Sequence, residues 1–238
     1  MDFVNIVSRQ VKDTLEIYPD FVVGRTKDLM TRGRSFYAVW DEENGVWSTD
    51  EYDIQRFVDA AIIEAARNNE TGLTAVPKVL RSFSSKTWVD FRKMMQNVSD
   101  NYRQLDNKIV FSNTEIKKTD YASKRLPYPL EEGSYEAWDE LLDVLYGPEE
   151  RKKIEWAIGA VISGDAKKIQ KFLVLYGSAG TGKSTILNII QRLFEGYVAF
   201  FDGKALVGNN NSFATEVFRN NPLVAIEHDG DLSKIENN

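Results

Sequence analysis

The C-terminal third of this 238-residue chain predicts an α/β fold built on a parallel, incomplete sheet, and the residues before it predict a mostly helical α+β region. Three observations carry the expectation. Lys171-Phe172-Leu173-Val174-Leu175-Tyr176 is a short apolar run with no helical period, the pattern of a buried parallel strand. It leads into the glycine-rich turn Gly177-Ser178-Ala179-Gly180-Thr181-Gly182-Lys183-Ser184, and then into a helix with an apolar stripe of Ile186, Leu187, Ile189, Ile190, Leu193 and Phe194. A second apolar run, Pro222-Leu223-Val224-Ala225-Ile226, ends on Glu227, 44 residues beyond Lys183.

Upstream, Val4, Val7, Val11 and Leu15 recur at helical spacing and predict a short amphipathic helix closed by Tyr18-Pro19. Ser35 to Trp40 and Val46 to Ser48 flank Asp41-Glu42-Glu43-Asn44-Gly45, two β-rich runs meeting at an Asn-Gly turn, and predict a hairpin. Its tryptophans are expected in a core, although tryptophan can also stack on bases. Ile54 to Asn68 predicts a helix behind the cap Asp53. From Lys78 to Asn97, Val79, Phe83, Trp88, Phe91, Met94 and Met95 interleave with Lys78, Arg81, Lys86, Arg92 and Lys93. That pattern describes a single-strand-binding surface, with Lys86, Arg92 and Lys93 as candidate DNA contacts, and equally an amphipathic helix with a wet cationic face. Leu126-Pro127-Tyr128-Pro129-Leu130 resists helix and marks a linker. Tyr135 to Tyr146, capped by Gly133-Ser134 and stopped at Gly147-Pro148, predicts one helix, and Glu149 to Ser163 another. The expected organisation is therefore residues 1–125, a linker and helical segment over 126–165, and a partial nucleotide-binding domain over 166–238.

Composition narrows the function classes. Hydrophobic residues make up 42% and charged residues 28%, enough for a packed core. No apolar run approaches the roughly 20 residues of a membrane span, and Met1-Asp2-Phe3 opens no secretory signal. With no cysteine there are no disulfides or thiolate metal sites; a cytoplasmic protein of a bacterium or an infected cell is expected. The net charge of −6 is unevenly spread. Residues 76–125 hold eleven basic against five acidic side chains, a local footprint for phosphates in an acidic chain.

The turn satisfies the phosphate-loop pattern G-x-x-x-x-G-K-[ST]. Its glycines let successive backbone N–H groups converge on an anion where a Cβ would obstruct. Lys183 supplies charge for the β- and γ-phosphates and Ser184 a hydroxyl for Mg²⁺, so ATP with Mg²⁺ is the expected ligand. The N-terminus of the following helix adds to the anion site. Such a site also needs an acid at the end of a neighbouring strand, for which Glu227 is the main candidate, as catalytic acid and metal ligand, and Asp229 the second. At least one of Glu227, Asp229 and Asp231 is an ordinary loop acid. His228, the only histidine, makes no metal site by itself.

Ala157 to Ser163 with Gly164-Asp165, the apolar run, the loop Gly177 to Thr185, and Leu223 to Asp231 resemble the superfamily 3 helicases of phage and poxvirus primase-helicases. Ser35 to Ser48 and Lys108 to Tyr146 resemble the segment that precedes the motor in that family. The resemblance implies an AAA+-like P-loop NTPase that assembles as a homo-oligomeric ring, binds ATP between subunits, and translocates on single-stranded DNA in replication with other replisome proteins. By position, Gly177, Ser178, Ala179, Gly180, Thr181, Gly182, Lys183, Ser184 and Thr185 would hold nucleotide and Mg²⁺, and Glu227 would be the Walker B acid. The family commonly has two adjacent acids where this chain has Glu227-His228-Asp229. Its sensor strand and arginine finger would follow Walker B, whereas this sequence ends at Asn238, with Asn237 and Asn238 too close to form that strand; slow or absent hydrolysis is expected of the chain alone. No carboxylate pair or trio in residues 1–125 reads as a primase site. Two other functions fit the loop: a P-loop small-molecule kinase, and a non-enzymatic DNA- or replisome-binding module ordered by ATP.

Overall fold

The computed structural model describes residues 1–80, 85–203, 216–219 and 221–228. Among them the chain forms two compact units, Met1–Arg103 with Lys117–Ser123, and Gln104–Ile116 with Lys124–Asn238. The predicted boundary at residue 126 lies inside the second unit.

The first unit begins as a hairpin, strands β1 (Val4–Val11) and β2 (Thr14–Phe21), where a helix was expected. Their register runs from Val4 opposite Phe21 to Val11 opposite Thr14, around a turn in which Lys12 has φ +53°. The spacing of Val4, Val7 and Val11 suits a helix, but three valines and Ile6 are β-branched, stiff side chains that favour a pleated surface. Pro19 sits inside β2 instead of ending an element. It is tolerated because the third strand of this sheet, β6 (Thr74–Pro77), pairs with β2 only from Thr14 to Ile17, so Pro19 meets no ladder on that side.

A second sheet holds β3 (Leu29–Arg32), β4 (Ser35–Asp41) and β5 (Val46–Ser48), all antiparallel. The predicted β4–β5 hairpin forms as read. Asp41 Oδ1 accepts the N–H groups of Glu43 and Asn44, each at 3.0 Å, and Gly45 takes φ +63°. Trp47 is 2% exposed, the core placement expected for it. Its N–H donates to Ala122 O at 2.8 Å and its indole N–H to Lys118 O at 2.9 Å, so residues 117–123 return to cover β5.

Helix α1 (Glu51–Arg67) starts behind Asp50, whose carboxylate caps Tyr52 N–H at 2.9 Å. The expected cap, Asp53, is already in the first turn and pairs with Arg56. Ile54, Val58 and Ile62, one stripe at four-residue spacing, are buried with Val4, Ile17, Leu29, Val39, Trp88 and Phe91. The last two come from α2 (Lys86–Met95), the single helix described in the basic stretch. With six strands beside two α-helices among its described residues, the region is less helical than expected.

Asp28 ties the first unit together electrostatically. Its carboxylate accepts Asp2 N–H at 2.8 Å, pairs with the Lys118 ammonium and lies 3.5 Å from the N-terminal ammonium. Burial pushes this carboxyl up, but the Lys118 and Asp2 hydrogen bonds and the two positive charges outweigh it and hold it below the usual range. A depressed carboxyl stabilises the fold above its unfolded value, about 3.9, and that contribution is lost as pH falls through the lower folded value. Thermal melts across pH 5 to 2 should show this acid loss, and Asp28→Asn should flatten it while lowering stability at neutral pH by on the order of 1–3 kcal/mol.

In the second unit α3 (Glu136–Leu145) and α4 (Pro148–Ile162) follow one another, Gly147 capping α4 and Pro148 occupying its first position. Glu149 and Glu150 fall in the first turn of α4, where negative charge complements the helix N-terminus. Arg151 bridges the two helices through Asp139, Asp143 and Glu155. A short α5 (Ala166–Ile169) precedes the glycine turn, α6 (Lys183–Leu193) follows it, and β7 (Val198–Phe200) pairs in parallel with β8 (Val224–Ile226). Leu142, Ile154, Ile186, Ile190, Phe194 and Tyr197 share the core with Ile109, Phe111 and Leu126. Tyr197 anchors it: its hydroxyl accepts Val110 N–H at 3.2 Å and donates to Lys124 O at 2.9 Å, and burial pushes the phenol up to about 12. Tyr197→Phe strands both backbone groups and should cost ~1–3 kcal/mol in urea unfolding.

One expected element is missing. Residues 171–176 form no strand, and Phe172 and Tyr176 are 83% and 97% exposed. Only Leu175 packs partly against the core. A strand is made by a neighbour's backbone groups as much as by its own residues, and none of the described residues pairs with this run.

Candidate functional site

The glycine turn is shaped by its backbone. Gly177, Gly180 and Gly182 take φ of +151°, +81° and +77°, a region that costs other residues roughly 1–2 kcal/mol. Gly182 is constrained twice. It caps α6, its carbonyl accepting Ile186 N–H at 3.1 Å, and a Cβ on it would lie 2.6 and 2.8 Å from the methyls of Leu145. The side chain of Leu145, at the end of α3, therefore lies directly against the turn. Ile186 and Ile190, 0% and 8% exposed, fix α6 in the core beneath it.

Lys183 is the first residue of α6 and folds back over the turn. Its ammonium donates to Gly177 O at 2.9 Å, to Ser178 O at 2.6 Å and to Thr181 Oγ1 at 3.2 Å. Thr181 Oγ1 in turn donates to Ser178 O at 2.9 Å. Among the described residues the cation is thus held at the mouth of the turn by neutral acceptors alone, a weaker set of partners than an anion offers. Ser184 and Thr185 are exposed in the first turn of α6, where the leading N–H groups of a helix have no intrahelical acceptor.

Glu227 follows β8, at the C-terminal end of the parallel pair. Its carboxylate accepts Gly203 N–H at 2.8 Å and fills the space a Cβ on Gly203 would take. Among the described residues it has no bond to the turn, so what is visible is an oriented carboxylate at a strand end. His228 is exposed and its ring stacks on Phe200 at 5.8 Å. Asp229, Asp231, Asn237 and Asn238 lie outside the described residues.

No group of three or more His, Asp or Glu side chains among the described residues could enclose a metal. Magnesium at a nucleotide is held largely by phosphate and water oxygens, and the exposed Ser184 hydroxyl with a single carboxylate fits that kind of donor set. The candidate DNA contacts fall on α2 in the other unit. Lys86, Arg92 and Lys93 are all exposed, but Arg92 pairs with Glu51 at 3.0 Å. Sequence reasoning missed Leu145 and Gly203. Leu145 fell within Tyr135 to Tyr146, a segment read only as a helix, and nothing in the sequence links Gly203 to Glu227.

Comparison with family models, with curated proteins and with solved structures found no match to the chain. Among the described residues no helix is long and apolar enough to cross a membrane.

Proposed function

We propose that Gly177 to Thr185 bind the phosphates of ATP with Mg²⁺, as the nucleotide site of a DNA helicase motor of the superfamily 3 type. The observation that carries the reading is the turn itself: three positive-φ glycines at the head of α6, closed over by a lysine whose ammonium has, among the described residues, only carbonyl and hydroxyl partners. Phosphate oxygens are better acceptors for that ammonium, and they also complement the helix N-terminus. In this reading nucleotide displaces Lys183 from its own loop, and the converging N–H groups take the β-phosphate. Ser184 and Glu227 would hold Mg²⁺, directly or through water; bound there, it would neutralise charge shared between the β- and γ-phosphates.

The rest of the motor reading rests on arrangement. Glu227 stands at the carboxyl end of a parallel strand, where open α/β sheets carry their ligands, and the Gly203 N–H orients it. A parallel sheet completed by residues 171–176 is part of the proposal; their exposed apolar side chains suit a strand that gains a neighbour. We place the protein with ring-forming motors acting on single-stranded DNA in replication, in the cytoplasm of a bacterium or infected cell.

The helicase reading predicts coupling between nucleotide and DNA, and coupling is reciprocal. A labelled single strand should bind with different affinity in the presence and absence of ATP with Mg²⁺, by about fivefold or more, and Lys183→Ala should erase the difference. A P-loop kinase would give the same DNA affinity in both conditions, and a non-enzymatic module ordered by ATP would show the shift without DNA stimulating any ATP turnover. Glu227→Gln should leave nucleotide binding within a few-fold of the parent while abolishing whatever ATP turnover the parent shows.

A further inference from the structure

The tip of the β3–β4 hairpin gathers cations and aromatic rings that the nucleotide site does not use. Gly33 and Arg34 form its turn with φ of +58° and +69°, and Gly33 N–H is held by Asp100 Oδ1 at 2.8 Å. Thr31 and Asn101 exchange both backbone hydrogen bonds, at 3.0 and 2.9 Å, which seats Tyr102 beside the hairpin. The Tyr102 ring meets Tyr37 edge to face at 5.6 Å. The Arg32 guanidinium lies 4.7 Å from the Tyr102 centroid and 5.8 Å from that of Tyr37. Beside this stack is a shallow recess with Arg34, Ser35 and Phe36 of the hairpin on one side and Arg92, Met95 and Gln96 of α2 and its end on the other. Among the described residues Arg32, Arg34 and Arg103 have no acidic partner, whereas Arg92 is neutralised by Glu51.

We propose that this tip binds single-stranded nucleic acid, one phosphate paired with the exposed Arg34 guanidinium at the mouth of the recess and a neighbouring base stacked on the Arg32–Tyr102 pair. An exposed guanidinium backed by an aromatic ring offers a flat cationic face that suits an unpaired base. A carboxylate-rich peptide would use the arginines but not the stack, and a duplex hides its base faces. The site lies wholly in the first unit and stands whether or not the glycine turn binds ATP.

The test uses the whole chain without nucleotide. Fluorescently labelled dT20, the matching U20 and a duplex of equal length are titrated by anisotropy between 50 and 300 mM salt. Binding of either single strand is expected to exceed that of the duplex. Arg34→Gln and Arg32→Gln should each weaken it by about fivefold or more and lower the salt slope by about one. Tyr102→Leu should weaken it about five- to hundredfold, with Tyr102→Phe close to the parent. Lys153→Gln, an exposed charge in the other unit, should change nothing. Failure to bind either strand, equal binding of the duplex, or equal loss in Lys153→Gln and Arg34→Gln would overturn the proposal. Melting curves check that the variants fold, and should Tyr102→Leu prove unstable, the two arginine variants, both at exposed positions, decide.

Discussion

Lys183→Ala lowers affinity for ATP with Mg²⁺ by about ten- to a hundredfold while leaving the fold intact. The ammonium makes its three hydrogen bonds within an exposed turn, so removing it strands no buried group and should move the melting midpoint by less than about 2 °C. In the nucleotide complex the same ammonium would face phosphate oxygens. A charge-assisted hydrogen bond of that kind contributes about 1.5–3 kcal/mol, which is the stated range in affinity. Isothermal titration of parent and variant under one salt condition gives the affinity, and a thermal melt gives the stability. A variant that melts far below its parent would mean that the lysine holds the turn together instead of serving the ligand.

Gly182→Ala damages both fold and site. The alanine would sit at φ +77°, costing roughly 1–2 kcal/mol. Its Cβ would also meet the terminal methyls of Leu145 at 2.6 and 2.8 Å, a contact that the half-buried leucine relieves by moving. The backbone strain alone predicts a loss of about 1–2 kcal/mol in urea unfolding, and nucleotide affinity should fall with it because the turn can no longer close. Leu145→Ala in the same chain checks the cause: it removes the contact and should recover little stability relative to Gly182→Ala. Full recovery would show that the φ of Gly182 carries no cost.

How much of this was legible in the sequence depends on how local each signal is. The glycine turn could be read outright, because the backbone shape and the lysine are set within eight residues. The β4–β5 turn was equally local, with Asp41 and Gly45 supplying the side-chain acceptor and the positive φ. The first hairpin was misread because Val4, Val7, Val11 and Leu15 satisfy a helical period, and its turn falls on Lys12, which no turn preference marks. Asp53 resembled a cap, yet Asp50, three residues earlier, has the oxygen that reaches the free N–H. Residues 171–176 carry every mark of a strand except the one a sequence cannot carry, a neighbour. The Arg32, Tyr37 and Tyr102 cluster was hidden for a similar reason. It depends on an irregularity in β3–β4 pairing next to Met30 and Thr31, and on a backbone bridge to Asn101, far along the chain.

Phosphate recognition by the turn at the head of α6 is open to one decisive measurement, titration of the chain with ATP, ADP and AMP, each with and without Mg²⁺. One saturable site is expected for ATP with Mg²⁺, with a Kd of roughly 1 µM to 1 mM, a weaker one for ADP, and none measurable for AMP, because the loop and Lys183 reach the β- and γ-phosphates. Equal affinity for AMP, or no binding of ATP at millimolar concentration, would contradict it.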